Sequence, residues 1–309
     1  MNLIVPIGTQ IVLRESYGED YSISNLFQGA VAEVVACPTD SQHAYRVRLP
    51  DGSVLSLKRK QFSILKQIKA GPLSSTQPLG TEHDLDRYVI YRCVVGSRAY
   101  GLDREGSDID RRGVYIPPAE LEWSIYGVPE QIEYQRTEEC YWELKKFMVL
   151  ALKANPNILE CLFTPIVEQR SEIADALLAK RNIFLSKLVY QTYNGYVLSQ
   201  FKRLEQDIRA SGELKWKHAM HLIRLLLQGI HVLHHAEVQV GVSEHRDALL
   251  AIRDGDRTWA EVNEWRLALH RELDSAFHST TLPDSPDYAE ANRLLIWARG
   301  KMVKVQLDS

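Results

Sequence analysis

Along the first seventy residues the apolar side chains come in short alternating runs broken by turn residues: "TQIVLRE", "GAVAEVVAC" and "AYRVRLPDGSVLSLKR". A period of two marks a half-buried strand, and Pro50-Asp51-Gly52 between two such runs supplies a hairpin turn. The pattern predicts a small all-β barrel over residues 1–70, with "YGEDYSISNLFQG" as its long first loop. "AGPLSSTQPLG", Ala70 to Gly80, combines Gly, Pro and Ser without apolar period, so residues 71–80 read as a linker. From Thr81 the signals alternate. "YVIYRCVV" and "DIDRRGVYI" read as strands and "EQIEYQ" as a further β-like piece. "YWELKKFMVLALK" reads as a helix with Leu144, Phe147, Met148, Ala151 and Leu152 on one face. Asn155-Pro156 ends it, and Asn157 is placed to cap the short helix "ILECLF". Past Pro165 helical patterns dominate. The fold class is therefore α+β, with a mixed core over residues 81–180 and a helical C-terminal domain over 181–309.

Composition works mainly by exclusion. Of 309 residues, 45% are hydrophobic and 25% charged, an ordinary globular balance that argues against disorder. A net charge of −3 provides no global field for nucleic acid, so contact with RNA must come from local patches. One such patch closes the barrel: Lys58, Arg59, Lys60, Lys66 and Lys69 serve either RNA, an acidic partner or simply a solvated edge. Cys37, Cys93, Cys140 and Cys161 lie far apart, three of them in apolar runs, and no pair has zinc-ligand spacing. Reduced core thiols and a cytoplasmic location are expected. The opening residues carry no secretory signal pattern, and no apolar run approaches the ~20 residues of a bilayer span, so no membrane partner is expected.

The chemistry concentrates in "VVGSRAYGLDREGSDID", Val94 to Asp110. On a strand, residues two apart share a face, which presents Asp108 and Asp110 together with Ile109 turned away. Two carboxylates that close repel unless a cation shares them. Hard divalent ions, Mg²⁺ above all, are held by one or two carboxylates plus substrate phosphates, and two such ions can clamp an in-line phosphoryl displacement. Gly96 lets backbone approach a phosphate, and Ser97 offers a hydroxyl to a nucleotide or serves as a helix cap. Arg98 and Arg112 either contact NTP or RNA or pair with the aspartates.

Gly-Ser followed by Asp-x-Asp resembles the signature of the DNA polymerase β nucleotidyltransferase superfamily. The blocks "GSRAYGL", "SDIDRRGVY", "ELKKFMVLALKANPNILECLF", "KHAMHLIRLLLQGI" and "DALLAIRDGD", in that order, are similar to those of nucleotidyltransferases assigned to RNA-repair pathways and linked with RNA ligases. The similarity runs from about Arg87 to about Arg299. The preceding residues lie outside it, and their Gly-led entry, long first loop and final hairpin resemble an SH3-like barrel. What the resemblance implies is a minimal polymerase-β-like core with a helical C-terminal domain, catalysing metal-dependent transfer of an NMP from an NTP such as ATP, with release of pyrophosphate. The implied acceptor is an RNA end, tRNA included, with an RNA ligase or another repair protein as partner. Two Mg²⁺ ions, or Mn²⁺ in their place, are implied at Asp108 and Asp110. A third carboxylate would complete the catalytic metal site; Glu138 is the first candidate, followed by Glu139 and Glu133. This chain departs from the superfamily in carrying Arg111 after the second aspartate, although Arg112-Gly113 matches the narrower group. A protein-modifying, toxin-neutralising type of nucleotidyltransferase and a catalytically dead RNA- or partner-binding module remain as alternatives.

In the helical part, Lys217, His221, Arg224, Gln228 and His231 fall on one stripe, opposite Ala219, Ile223, Leu226, Ile230 and Leu233. The apolar stripe is core. The cationic one is either a solvated face or the wall of a phosphate-receiving cleft, and the resemblance favours Lys217, His221 and Arg224 as nucleotide contacts. Tyr190, Tyr193 and Tyr196 either stack a base or pack the core.

Overall fold

The computed structural model describes residues 4–14, 28–40, 43–70, 85–134, 136–211 and 214–307. The chain divides into two compact units, Met1–Pro78 and Leu79–Ser309. The predicted first loop lies outside the described residues up to Phe27, and the predicted linker lies outside them entirely.

In the first unit β1 (Gln10–Leu13), β2 (Val31–Ala36), β3 (Tyr45–Arg48), β4 (Val54–Leu57) and β5 (Phe62–Ile64) precede a short helix, α1 (Leu65–Ala70). They form one antiparallel sheet in the order β4-β3-β2-β1-β5. Period-two alternation decides which side chains are buried: Tyr45 and Val47 point inward, Arg46 and Arg48 outward. Ile11, Leu13, Val34, Val47 and Phe62 make the core, where Tyr45 meets Phe62 edge-on at 5.3 Å between ring centroids. The Asp51 carboxylate accepts from the Ser53 amide at 2.9 Å, fixing the hairpin turn.

The second unit opens with β6 (Val89–Val95), α2 (Gly96–Tyr100), β7 (Asp110–Tyr115), α3 (Ala119–Glu122), β8 (Gln131–Tyr134) and β9 (Glu139–Glu143). Then come α4 (Leu144–Leu152), α5 (Pro156–Phe163), β10 (Val167–Arg170) and α6 (Glu172–Ala179). The chain ends in long helices: α7 (Leu188–Ser211), α8 (Trp216–His235), α9 (Arg246–Asp254), α10 (Trp259–Ser279) and α11 (Tyr288–Leu307). Its sheet has the order β10-β6-β7-β9-β8, with β7 and β9 parallel and the other pairs antiparallel. A continuous apolar core links Tyr91 on the sheet through Phe147 and Leu159 to Tyr193, Leu226 and Leu273 in the helices. No helix among the described residues is long and apolar enough to cross a membrane.

Two local features differ from the sequence reading. The helix expected over "YWELKKFMVLALK" begins at Leu144, because β9 takes Glu139–Glu143 into the sheet between β7 and β8. Aromatic Tyr141 and Trp142 suit that half-buried pleat, and the Glu143 carboxylate then caps α4 by accepting from the amides of Lys145 and Lys146. The cap of α5 is Asn155, not Asn157: its side chain accepts from the amides of Asn157 and Ile158, and Pro156 occupies the first helical position. The tyrosines of α7 are spent on packing. Tyr193 is fully buried with its hydroxyl on Gln228, Tyr190 stacks on Phe277 at 4.3 Å, and Tyr196 accepts from Asn155.

Candidate active site

β6 ends at Val95, whose partner across the ladder is Asp110, the first residue of β7. The chain turns at once into α2 through Gly96, held at φ +72°. A Cβ built there would lie 2.3 Å from Asp110 Oδ2, so backbone and carboxylate share a space only glycine leaves open. Ser97 follows, half-buried. The loop to Asp108 is fixed from both sides: Arg98 donates to the Ser107 carbonyl at 2.9 Å, and Ser107 Oγ accepts from the Arg104 amide at 2.8 Å. Because the strand begins at Asp110, this loop and not strand alternation places Asp108. Gly96, Ser97, Asp108 and Asp110 nevertheless line one cavity of about 950 Å³. Arg98 is exposed and does not line it; its guanidinium serves the loop.

Arg112 donates to Asp110 Oδ1 at 3.3 Å and to the Glu138 carbonyl at 2.6 Å, tying the start of β7 to the approach of β9. The parallel register pairs Arg111 with Glu139. One step back on each strand stand Asp110 and Glu138, and Glu138 enters with a left-handed backbone, φ 53°. Arg111 is turned to the opposite face, where its guanidinium holds Glu168 of β10 at 2.9 Å. The Glu139 carboxylate accepts from the Tyr141 hydroxyl, and that of Glu133 from the Gln131 side chain. Glu133, Glu138 and Glu139 all border the cavity. Among the described residues no three His, Cys, Asp or Glu side chains stand together as a metal cage, so Asp108, Asp110 and Glu138 share the cavity without forming one. The donors present do suit a hard divalent cation. They are carboxylates and a hydroxyl, and the cradle at Gly96 would be filled by any Cβ.

The helical wall divides the cationic stripe of α8. Lys217 and His221 reach the cavity, joined by Met220 and by Arg253 of α9, which donates to the Leu102 carbonyl at 2.7 Å. Arg224 does not reach it. The guanidinium is buried, bonded to Glu160 Oε1 at 2.5 Å and stacked 3.8 Å from the Tyr100 ring centroid, because an acid on α5 faces what looked like an acid-free stripe. Its expected nucleotide contact gives way to a structural ion pair. Gln228 is likewise buried, accepting from Tyr193, and His231 borders a second cavity of about 190 Å³.

Burial, reinforced by the positive charges of Arg224 and Lys217, pushes the His221 imidazole down to about 3. The folded chain therefore binds fewer protons than the unfolded one between that value and 6.5. This contribution to stability is complete above pH 6.5 and is lost as pH falls through the window. Melting temperatures recorded from about pH 7 to about pH 4 are expected to fall less steeply for His221→Gln than for the wild type. Equal slopes would place His221 outside the buried, cationic setting described.

Several residues that border the cavity carry no local signal of it in the sequence. Met220 stands three residues after Lys217 on α8, so the two lie one helical turn apart on neighbouring positions of the surface. Trp142 donates from Nε1 to Gln131 Oε1 at 2.7 Å, a cross-strand pair whose signal appears only once β8 and β9 are paired. Arg253 lies in the quoted block "DALLAIRDGD". Cys140 also borders the cavity, its thiol pushed up to about 11 by burial and so held protonated.

Comparison with known proteins bears on the same residues. The uncharacterized protein YcgL of Bacillus subtilis (strain 168) is 29% identical over 142 residues, 45% of this chain and 54% of that protein. The chain thus spans about half the length of that curated relative. The model of the RNA repair pathway DNA polymerase beta family matches residues 75–297, taking in the sheet of the second unit, the cavity and most of the helices. With well over half of its length matched, and the Gly-Ser turn set against the aspartates, the chain belongs to the RNA repair pathway DNA polymerase beta family.

Proposed function

We propose that the protein is a Mg²⁺-dependent nucleotidyltransferase that moves an NMP from an NTP onto an RNA end. The observation that carries this reading is the contact of Gly96 with Asp110 inside a cavity that also holds Ser97 and Asp108. Asp108 and Asp110 would hold the metal, with Glu138, which borders the same cavity and whose carbonyl Arg112 ties to the start of β7, as third ligand. The bound ions supply charge neutralisation of the phosphates. Gly96 and Ser97 seat the triphosphate, and Lys217 and Arg253 add positive charge from the helical wall. An acceptor hydroxyl gives its proton to a carboxylate of the cavity as its oxygen bonds to the α-phosphorus, the bond to the bridging oxygen of the β-phosphate breaks, and pyrophosphate leaves. Such chemistry needs positioning and electrostatics more than covalent participation by the protein. His221, neutral at physiological pH, is suited to a hydrogen bond with an uncharged part of the nucleotide. RNA as acceptor is supported by the family. The first unit is read as an SH3-like barrel on the strength of its four-stranded meander, the return of β5 to pair with β1, and the 3₁₀ turn Arg59–Gln61 before β5.

Incubation with each α-³²P NTP and Mg²⁺, in the presence of RNA, of lysate protein or of neither, tests the reading. Label is expected on RNA with the wild type and not with Asp108→Asn/Asp110→Asn. Label on protein would replace the RNA acceptor by a polypeptide, and no label with Mg²⁺ or Mn²⁺ would leave a binding module.

A further inference from the structure

The outward face of the first unit carries cations that the fold leaves unused. Arg46 and Arg48 stand on β3 with exposed side chains, next to Ser56 and Val54 of β4 in the register. Lys58, two residues beyond Ser56, continues the same side past the end of the strand, and exposed Lys60 follows in the 3₁₀ turn. Among the described residues of this unit the ion pair present is His43 with Asp40; none of Arg46, Arg48, Lys58 and Lys60 pairs with a carboxylate. The acid nearest to them in the ladder, Glu33, is the register partner of Arg48 and forms no ion pair with it.

Ordinary structural duties do not account for these side chains. Lysines and arginines on an edge strand deter edge-to-edge association, but β3 is an interior strand, flanked by β2 and β4. They hold no partner element by charge, and outward positions contribute nothing to the core of Ile11, Val34, Val47 and Phe62. What they form is a row of cations at strand spacing. Arg46 and Arg48 are about 6.6 Å apart along β3, a repeat that successive phosphates of an extended single strand can follow. Two guanidinium forks suit phosphate oxygens, which they can engage in pairs of hydrogen bonds.

We propose that the outward face of β3 and β4, through Arg46, Arg48 and Lys58, binds the phosphodiester backbone of single-stranded RNA. The proposal rests on RNA as the class of acceptor and assigns to the first unit the retention of that acceptor. The face reads charge and spacing and not bases, so affinity is insensitive to sequence and depends steeply on salt.

The test is fluorescence anisotropy of a labelled oligouridylate with the full chain, without NTP or divalent ion, over a KCl series. Arg46→Gln/Arg48→Gln/Lys58→Gln is expected to weaken binding at least about 10-fold at low salt and to flatten the slope of log K against log[KCl] by about 2, since each phosphate contact on a single strand contributes about 0.7. Arg46→Lys/Arg48→Lys is expected to keep the slope, which separates lost charge from a damaged strand. Lys202→Gln/Arg203→Gln, an equally exposed pair on α7, is expected to bind as the wild type does. A triple variant with wild-type affinity and slope would overturn the proposal. So would a wild type that ignores RNA and instead retains an acidic protein through this face. Transfer is scored in a separate reaction, so loss of transfer with binding intact counts against the proposed chemistry and leaves this surface standing.

Discussion

Asp110→Asn is expected to cut NMP transfer at least about 100-fold at saturating NTP and Mg²⁺, the scale on which losing one preorganised charge-stabilising group acts. The substitution preserves shape: an Asn side chain fits the space beside Gly96 and still offers Arg112 an oxygen. It removes the charge that would hold the metal. The Arg112–Asp110 pair is partly exposed, so its loss is worth no more than about 1 kcal/mol, and the melting temperature should stay near that of the wild type. Transfer rate and melting curve together are the readout. A variant that melts normally and still transfers would show that Asp110 does not carry the metal, and the reaction assigned to the cavity would fall with it.

That site was legible because its parts are close in sequence. Gly96 and Asp110 are separated only by the short helix α2 and the loop after it, and one antiparallel pairing, Val95 with Asp110, brings them into contact. Glu138 is farther along the chain and depends on a parallel pairing across β7, which no local pattern announces. Arg224 departs from its expected place in the cavity wall for a related reason. A helical wheel shows what lies on the same helix, whereas Glu160, which neutralises Arg224, arrives from α5. Arg98 looked like a phosphate ligand by its place beside Ser97, but the turn of α2 directs it to the Ser107 carbonyl.

The elements follow the same division. Strands with clear alternation, such as Tyr45–Arg48, and runs that are apolar throughout, such as Val89–Val95, carry their own evidence. β10, "VEQR", does not: all four residues are exposed, so it lacks a buried face and exists as an edge strand only because β6 offers a free ladder. Tyr141–Glu143, which the local pattern runs into the following helix, belong to β9, because its two strand neighbours decide otherwise. Where tertiary pairing sets the state, a window of local sequence cannot.

Replacing Glu160 by Ala is expected to lower the unfolding free energy by about 3–5 kcal/mol, the cost of leaving a buried charge without its partner. Glu160 is 2% exposed and spends both oxygens, Oε1 on Arg224 at 2.5 Å and Oε2 on the Tyr100 hydroxyl at 2.6 Å. Burial works against the Arg224 charge, yet the carboxylate more than offsets it, so the guanidinium stays protonated. Truncating the acid strands that charge between α5, α8 and α2. Urea denaturation should show a lower midpoint at unchanged m. Arg224 Nε is buried without a hydrogen-bond partner, an uncompensated desolvation cost that an apolar filling of the same space does not carry. Glu160→Leu/Arg224→Met is therefore expected to recover most of the lost stability. Its transfer activity should nonetheless stay low, because Tyr100 ends the short helix that begins at Gly96, and the carboxylate is what anchors that tyrosine to the helical wall. Full activity in the double variant would reduce the triad to packing; stability without activity would assign it the task of holding the Gly-Ser turn in place against the aspartates.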